Sequence, residues 1–397
     1  QHFFSESEDG IILYHRRLSI LDLSVNGLQP MHSKSGRWVI VYNGEIYNHR
    51  ELRSKTCYPF RGTSDTETLL ATIVKYGVED AVSVIDGMFA FAVYDQKAQC
   101  LFLARDKAGQ KPLYYSLIDT TFLFSSDIRA MKVHPLTEAS IDEISLDFYL
   151  KNGYVAAPRS IYKNIMKLPP GHLLTFNYVN KTFSNKRYDT SDGGIAFDTH
   201  RLNIEDALHE RLLHSVNQSI KADVEVGCFL SGGIDSTLVT CLAQKQSKRP
   251  IKTFTIGTEN QKFNEANHAK RVAHYLSTDH TELYVSEETL LTACETVDLA
   301  YDEPFADPSK ILTFLLSEVA AEKVKAVVSG DGADELFCGY NRYRFAKQIQ
   351  YFNQTIPDMI PDFNEDTAVA IREFAIEEGI SPEILDSIAD PVIVKFV

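Results

Sequence analysis

Several classes of protein are disfavoured by what this sequence lacks. Its six cysteines are scattered and form no Cys-x-x-Cys pair, which argues against a disulfide framework and for reduced thiols. No apolar run approaches the length of a membrane span. Lys and Arg number 40 against 54 Asp and Glu, a net charge of -14. Binding to nucleic acid depends on a basic face, so we expect no nucleic-acid partner. From the reduced thiols and the short apolar runs we expect a cytoplasmic protein with no membrane partner.

Two common phosphate-binding patterns are missing as well. The chain contains no Gly-x-x-x-x-Gly-Lys-Ser/Thr, which disfavours a Walker-type γ-phosphoryl transferase. It also has no Gly-x-Gly-x-x-Gly after a predicted strand, which disfavours a dinucleotide-dependent redox fold. Any phosphate site in this chain must therefore be of another kind.

The pattern of apolar residues divides the chain into three segments. Residues 1–135 carry short β-type runs, turns and a few helical patterns, and this mixture predicts stacked β-sheets flanked by helices. Residues 136–202 are irregular and are interpreted as a connector. In residues 203–397 long helices alternate with short buried strands, which predicts a doubly wound parallel sheet that binds ligands at the carboxyl ends of its strands. The predicted strands are 224–230, 251–256, 281–285 and 325–329, and the predicted helices are 205–221, 235–246, 264–277 and 311–323.

The most informative motif lies in residues 224–239, where an apolar run breaks at Ser-Gly-Gly and resumes with helical spacing. This predicts a strand, a tight turn and a helix, and the hydroxyls of Ser231, Ser236 and Thr237 with the free N–H groups at the helix start form an anion cradle. A purely structural turn is the less favoured alternative. Asp235 would repel phosphate unless a hard cation such as Mg2+ lay between them.

A second acidic turn follows the last predicted strand, in residues 327–340. Asp331, Asp334 and Glu335 fall at i, i+3 and i+4, so a helix beginning here gathers three carboxylates at its positive end. Taken alone, this acidic cluster is as consistent with an ordinary acidic first turn of a helix as with a metal site. With the cradle in the same sheet, Asp235 and Asp334 become candidate Mg2+ ligands on a pyrophosphate, and one acid is left for orientation or proton transfer.

The first segment holds candidates for binding a free amino acid. In residues 41–48 the Asn43 amide and the Gly44 N–H supply the two donors of an oxyanion hole, although a hairpin turn is the simpler reading. Arg17 has the planar fork that clamps a carboxylate. Asp65 can pair with an ammonium, and a helix N-cap is an equally natural role for it.

These motifs resemble those of a known family. Residues 231–236 resemble the pyrophosphate loop of the ATP-pyrophosphatase superfamily, and together with residues 329–340 they resemble glutamine-hydrolysing asparagine synthetase. Residues 41–48, 86–91 and 105–115 resemble the glutaminase domain of the same family. The resemblance implies an N-terminal Ntn-hydrolase-like domain and a C-terminal α/β domain with a doubly wound parallel sheet of the ATP-pyrophosphatase type.

The resemblance also implies a reaction and its participants. A substrate carboxylate attacks the α-phosphate of ATP to give an acyl-adenylate and pyrophosphate, and ammonia from glutamine displaces AMP. ATP and Mg2+ are the implied cofactors, with glutamine and aspartate or another small carboxylate as substrates. The implied glutamine-binding residues are Arg17, Asn43, Gly44, Glu45 and Asp65. The implied ATP and pyrophosphate site is Leu230, Ser231, Gly232, Gly233, Asp235, Ser236, Ile256, Ser329 and Gly330. The implied metal ligands are Asp235 and Asp334, and the implied catalytic residues are Asn43, Gly44 and Asp331.

The chain departs from the family at three places. The family's nucleophile is an N-terminal Cys, whereas this sequence opens on Gln1, so we expect the start of the glutaminase domain to be missing. A late family segment containing a lysine and an Arg-x-Pro-Phe-Leu-Asp-like stretch is not visible before Val397, so we expect the synthetase domain to be incomplete. Asp331 stands where the family often has Glu.

Three functions stay open at this point. Asparagine synthesis is favoured, and the alternative of the same architecture is a ligase with another carboxylate or an internal amine, similar to β-lactam synthetases or lasso-peptide cyclases. Those enzymes usually have a decayed glutaminase site. The presence of Arg17 and Asp65 argues against such decay in this chain. A catalytically silent scaffold or regulator is disfavoured because Asp235 and Asp334 are both present. The oligomeric state, including a homodimer, is open.

Overall fold

The computed structural model describes residues 2–6, 10–189, 203–258, 264–340 and 343. The chain divides into two compact units, Gln1–Ser329 and Gly330–Val397. The strands are β1 (His2–Glu6), β2 (Ile12–Arg16), β3 (Met31–His32), β4 (Trp38–Ile46), β5 (Gly87–Asp95), β6 (Cys100–Arg105), β7 (Tyr114–Ile118), β8 (Thr121–Ser125), β9 (Met166–Lys167), β10 (His172–Asn177), β11 (Thr182–Arg187), β12 (Val226–Phe229), β13 (Lys252–Thr258), β14 (Asp279–Val285) and β15 (Ala326–Val328). The helices are α1 (His49–Lys55), α2 (Asp65–Tyr76), α3 (Val78–Val84), α4 (Ile128–Lys132), α5 (Glu143–Asn152), α6 (Ile204–Ser219), α7 (Ile234–Gln246), α8 (Ala266–Leu276), α9 (Glu287–Val297), α10 (Ser309–Ala321) and α11 (Ala333–Phe337).

The first part of the chain forms four layers. A six-stranded antiparallel sheet in the order β11-β10-β6-β5-β4-β3 lies between helices α1–α3 and a three-stranded sheet, β8-β7-β9. Helix α4 covers the outer face of the smaller sheet. Strand β5 shows why this sheet is covered on both sides: Phe89 and Phe91 face the helices, whereas Ala90 and Tyr94 face the second sheet. A strand buried on both faces reads as a continuous apolar run, and the predicted stacking of sheets and helices is present.

The six-stranded sheet extends beyond the predicted boundary at residue 135. Strand β10 pairs with β6, and β11 pairs with β10, so two strands of this sheet lie in the segment interpreted as a connector. Leu173 and Leu174 are buried on opposite faces of the sheet. The preceding Pro169 and Pro170 and the left-handed Gly171 gave this segment its irregular appearance in the sequence. Residues 190–202 lie outside the described part of the chain.

The second part of the chain, from residue 203 to Ser329, contains the predicted doubly wound sheet. Its four strands run in the order β14-β13-β12-β15 and every pair is parallel. Helices α6, α7 and α8 cover one face and α10 covers the other. Because β13 and β14 lie on one side of β12 and β15 on the other, the strand order reverses between β12 and β15, where open α/β sheets bind ligands. Among the described helices, none has the length and apolarity needed to cross a bilayer.

Candidate functional site

Arg17 is held in place by backbone carbonyl groups. Its Nη2 donates to the carbonyl oxygens of Leu21 and Asp22 at 2.8 and 2.6 Å, and its Nη1 donates to that of Ser24 at 3.3 Å. The backbone of Gly27 lies directly against the guanidinium, since a Cβ there would be 2.2 Å from Nη2. A guanidinium has five N–H groups, so these contacts fix its plane and leave further donors for an anionic ligand.

Asp65 lies at the start of α2 but is not its cap, because Ser64 caps the helix by accepting from Glu67 N. The Asp65 carboxylate instead accepts from the Tyr42 hydroxyl at 2.7 Å and from Ile46 N at 3.0 Å. Burial raises the pKa of Asp65. These bonds attach the carboxylate to β4, the strand that also carries Asn43 and Gly44.

Asn43 and Gly44 are paired residues of β4, so the alternative of a hairpin turn is wrong. Asn43 pairs with Ala90 and Gly44 with Phe89 across the β4–β5 ladder. Gly44 has no room for a side chain, because a Cβ would lie 2.1 Å from the Met88 carbonyl oxygen. The Asn43 side chain is exposed, which leaves its amide accessible to a ligand.

Glu45 follows on the same strand in a region of mixed charge. Burial, helped by the negative charges of Asp65 and Asp223, raises the pKa of Glu45 to about 8, while Lys111 and Arg17 act in the opposite direction. Glu45 also lines a cavity of about 210 Å³ with Tyr47 and His49 and, from the end of α6 and beyond it, Gln218 and Lys221. The first and second parts of the chain therefore meet beside the candidate amino-acid site.

The raised pKa of Glu45 predicts a pH-dependent stability. The folded protein holds a proton on Glu45 that the unfolded chain releases above its ordinary pKa of 4.5, so stability is lost as the pH rises from about 4.5 to about 8. Glu45→Gln should remove this loss and raise the melting temperature at pH 8.5 by several degrees, because each kcal/mol of stability shifts the melting temperature of a domain of 150–250 residues by about 2–4 °C. Melting curves at pH 5.5 and 8.5 test this, with the exposed Glu79→Gln as control; equal pH profiles for Glu45→Gln and the wild type would contradict it.

The loop after β12 folds its hydroxyl groups around the start of α7. The Oγ atoms of Ser231 and Ser236 are 2.9 Å apart, Ser236 Oγ accepts from Ser231 N at 3.2 Å, and Ser231 Oγ accepts from Gly233 N at 3.2 Å. Gly233 is the N-cap of α7, and Asp235 lies in its first turn. Hydroxyl groups and N–H groups at the start of a helix suit an anion such as phosphate.

Two further features of this loop are consistent with a ligand-binding role. Gly232 has a left-handed φ of +83°, and a Cβ there would lie 2.6 Å from the backbone nitrogen of Ala269 in α8, so only glycine lets the loop lie against that helix. The buried Oγ1 of Thr237, one residue after the serines, has no hydrogen-bond partner among the described residues. Asp235, in the first turn of α7 and half-buried, carries the kind of oxygen ligand that Mg2+ prefers.

Other predicted nucleotide-site residues lie along the same edge of the sheet. Leu230 N donates to the Phe254 carbonyl oxygen at 2.9 Å, but the Leu230 side chain is buried against α8, so only its backbone can face a ligand. Ile256 lies two residues further along β13. Ser329 directly follows β15, whose Val328 pairs with Cys228 of β12, and it therefore lies at the switch point.

The remaining predicted residues belong to the second compact unit, Gly330–Val397. Gly330 and Asp331 precede α11, which begins after the left-handed Gly332. The Asp334 carbonyl oxygen in α11 accepts from Gly339 N at 2.9 Å. The approach of Asp334 to Asp235 stays a prediction. No group of three or more His, Cys, Asp or Glu side chains suited to a metal occurs in the described part of the chain.

Sequence reasoning missed the residues that support the site. Tyr42 precedes Asn43 and binds Asp65, but its phenol looks like one more aromatic residue of an apolar strand. Asp22 organises the loop that holds Arg17, by accepting from Ser24 N, Ser24 Oγ and Thr63 N. Its signal in the sequence is weak, because the contact with Thr63 joins residues 41 positions apart.

Comparison with known proteins assigns both parts of the chain. Residues 1–189 match the family model of a glutamine amidotransferase domain, and residues 207–381 match that of asparagine synthase. The predicted two-domain fold class is confirmed: an N-terminal amidotransferase domain of stacked sheets and helices is followed by an α/β asparagine synthase domain with a doubly wound parallel sheet.

Curated relatives agree with the two family models. The chain is 34% identical over 389 residues to a putative asparagine synthetase (glutamine-hydrolyzing) 2 of Methanocaldococcus jannaschii, with 89% of this chain and 75% of that protein covered. It is 35% identical to asparagine synthetase (glutamine-hydrolyzing) 1 of Bacillus subtilis, with 85% and 53% covered. It is 30% identical to amidase chyE of Penicillium rubens, with 95% and 58% covered. The chain thus spans about half the length of the Bacillus relative.

Proposed function

The chain belongs to the glutamine-hydrolysing asparagine synthetase family, and on this premise we propose that it is an ATP-dependent amide-forming ligase. Glutamine supplies ammonia in the N-terminal domain, and a carboxylate activated as its adenylate receives it at the parallel sheet. Aspartate is the proposed acceptor. The observation that carries the proposal is the cradle of Ser231, Gly233 and Ser236, which lies at the switch point of the parallel sheet.

At the cradle, the proposed work of the protein is to bind and orient pyrophosphate. The N–H groups at the start of α7 and the two serine hydroxyls donate to phosphate oxygens as the bond to the α-phosphate breaks. Asp235 would hold Mg2+, with Asp334 as the second ligand. When bound, the metal offsets the charge of the phosphates. Mg2+ in such sites is held by one or two carboxylates and substrate phosphates, so a dedicated cluster of protein ligands is not required.

At the N-terminal site, the proposed roles follow the charge of a free amino acid. The Arg17 guanidinium binds the α-carboxylate of glutamine, and Asp65 with Glu45 faces its ammonium. The Asn43 amide and the Gly44 N–H stabilise the oxyanion that forms when the side-chain amide is attacked. A nucleophile must complete the site, and the family supplies it as an N-terminal Cys.

Release of pyrophosphate tests the ligase proposal directly. With Mg-ATP and ammonia, release is expected to depend on one added amino acid, and aspartate should give the highest rate. A panel of other small carboxylates and of substrates carrying an internal amine distinguishes the alternative acceptors. Absence of release with every acceptor would refute the ligase and favour a silent scaffold.

Gly27→Ala offers a test of the proposed glutamine site without deleting a charged group. The new methyl would lie 2.2 Å from Arg17 Nη2 and displace the guanidinium, and a misplacement of about 1 Å can cost up to roughly 100-fold. We expect the dissociation constant for glutamine to rise about tenfold or more, measured by calorimetric titration. Ammonia-dependent pyrophosphate release should not change. A glutamine affinity equal to that of the wild type would show that Arg17 does not bind the substrate.

A further inference from the structure

Asp223 connects the two parts of the chain at one defined point. It lies between α6 and β12, three residues before the strand that leads into the cradle. Its carboxylate Oδ2 accepts from Asp22 N at 2.8 Å, and its own N–H donates to the Ile20 carbonyl oxygen at 3.0 Å. The two hydrogen bonds hold residues 20–22 at both ends.

The segment held in this way is the one that fixes Arg17. Leu21 and Asp22 provide the carbonyl oxygens that bind Arg17 Nη2. Asp22 has a left-handed φ of 51°, a conformation that is uncommon outside glycine and that Asp adopts more readily than most other residues. The side chain of Asp22 is bound within the amidotransferase domain, by Ser24 and Thr63, whereas its backbone N–H is bound by Asp223.

We infer that Asp223 is a positioning residue through which the synthetase domain orients the glutamine-binding guanidinium of Arg17. Asp223 does not contact the ligand; it holds the backbone whose carbonyls set the plane of the guanidinium. The polypeptide runs from Asp223 through β12 to the cradle at Ser231. The segment that leads to the cradle therefore also supports the proposed glutamine site. The inference rests on the proposed function, because Arg17 is there assigned to glutamine.

The inference predicts a selective effect on glutamine. Asp223→Ala removes the acceptor for Asp22 N and should raise the dissociation constant and KM for glutamine about tenfold, with ammonia-dependent pyrophosphate release unchanged. Asp223→Asn keeps an oxygen acceptor of the same size and should restore affinity to within about threefold of the wild type. The control is Glu225→Ala, an acid two residues further along, which pairs with Lys252 and should leave glutamine binding unchanged.

The experiment uses the full-length protein, with glutamine titration and ammonia-dependent pyrophosphate release measured on each variant. Unchanged glutamine affinity in Asp223→Ala would overturn the positioning role alone. An equal loss of both activities, or failure of Asp223→Asn to restore affinity, would show a merely structural role and would also overturn it. If the wild type does not bind glutamine, the proposed glutamine site fails and this role falls with it.

Discussion

Asp235→Ala is expected to lower Mg-ATP-dependent pyrophosphate release by about 10³-fold. A metal that neutralises transferring phosphates contributes several kcal/mol to the transition state, and each ~1.4 kcal/mol is a factor of ten in rate. Asp235 is the acid in the first turn of α7, beside the serine hydroxyls of the cradle. The loss should appear with both ammonia and glutamine as nitrogen source, because both routes need the adenylate.

The matched control for Asp235→Ala is Glu205→Ala. Glu205 is an exposed acid in the first turn of α6, on the same face of the sheet, and has no glycine loop before it. Both substitutions should change the free energy of unfolding by less than about 1 kcal/mol, the range of a helix-dipole effect. A rate for Asp235→Ala close to that of Glu205→Ala would refute the metal assignment.

Arg17→Ala is the second substitution with a large expected effect, and its effect is confined to glutamine. Hydrogen bonds to charged groups contribute roughly 1.5–3 kcal/mol each, and a guanidinium makes two to a carboxylate, so the KM for glutamine should rise by about 10²-fold or more. Ammonia-dependent synthesis should keep its rate. Lysine is not expected to rescue, because an ammonium cannot bind three carbonyls and a carboxylate in one plane.

Arg16→Ala supplies the control for Arg17→Ala. Arg16 is the adjacent, exposed residue at the end of β2, so its removal changes the net charge equally without touching the loop at residues 21–24. Initial rates at varied glutamine and at varied ammonia separate the two substrates. A glutamine KM for Arg17→Ala within twofold of that for Arg16→Ala would contradict the assignment.

Much of this architecture is predictable because local patterns determine it. Strands β12 to β15 and helices α6, α7, α8 and α10 follow from the alternation of apolar runs with helical spacing, and their observed bounds differ from the predicted ones by at most a few residues. Helix α9 (Glu287–Val297) was not predicted. The cradle is equally local. Two glycines, two serines and one Asp between a strand and a helix leave few other structures, since Gly232 needs a left-handed φ that other residues rarely adopt.

The parts that were not predictable depend on contacts between distant residues. Asn-Gly within an apolar run is typical of a hairpin turn, and only the pairing of β4 with β5 reveals Asn43 and Gly44 as strand residues. The bond between Asp22 and Asp223 joins residues 201 positions apart, and no spacing in the sequence points to it. Strands β10 and β11 were hidden by the prolines that precede them.

In the proposed reaction, nitrogen from glutamine reaches a carboxylate that ATP has activated. The most direct measurement incubates the full-length protein with Mg-ATP, aspartate and glutamine labelled with 15N in its side-chain amide, and follows the products by mass spectrometry and 31P NMR. The predicted result is asparagine carrying 15N in its amide, with AMP and pyrophosphate formed in equal amounts. Formation of ADP and phosphate, or label that stays in free ammonia while no acceptor is amidated, would refute this reaction.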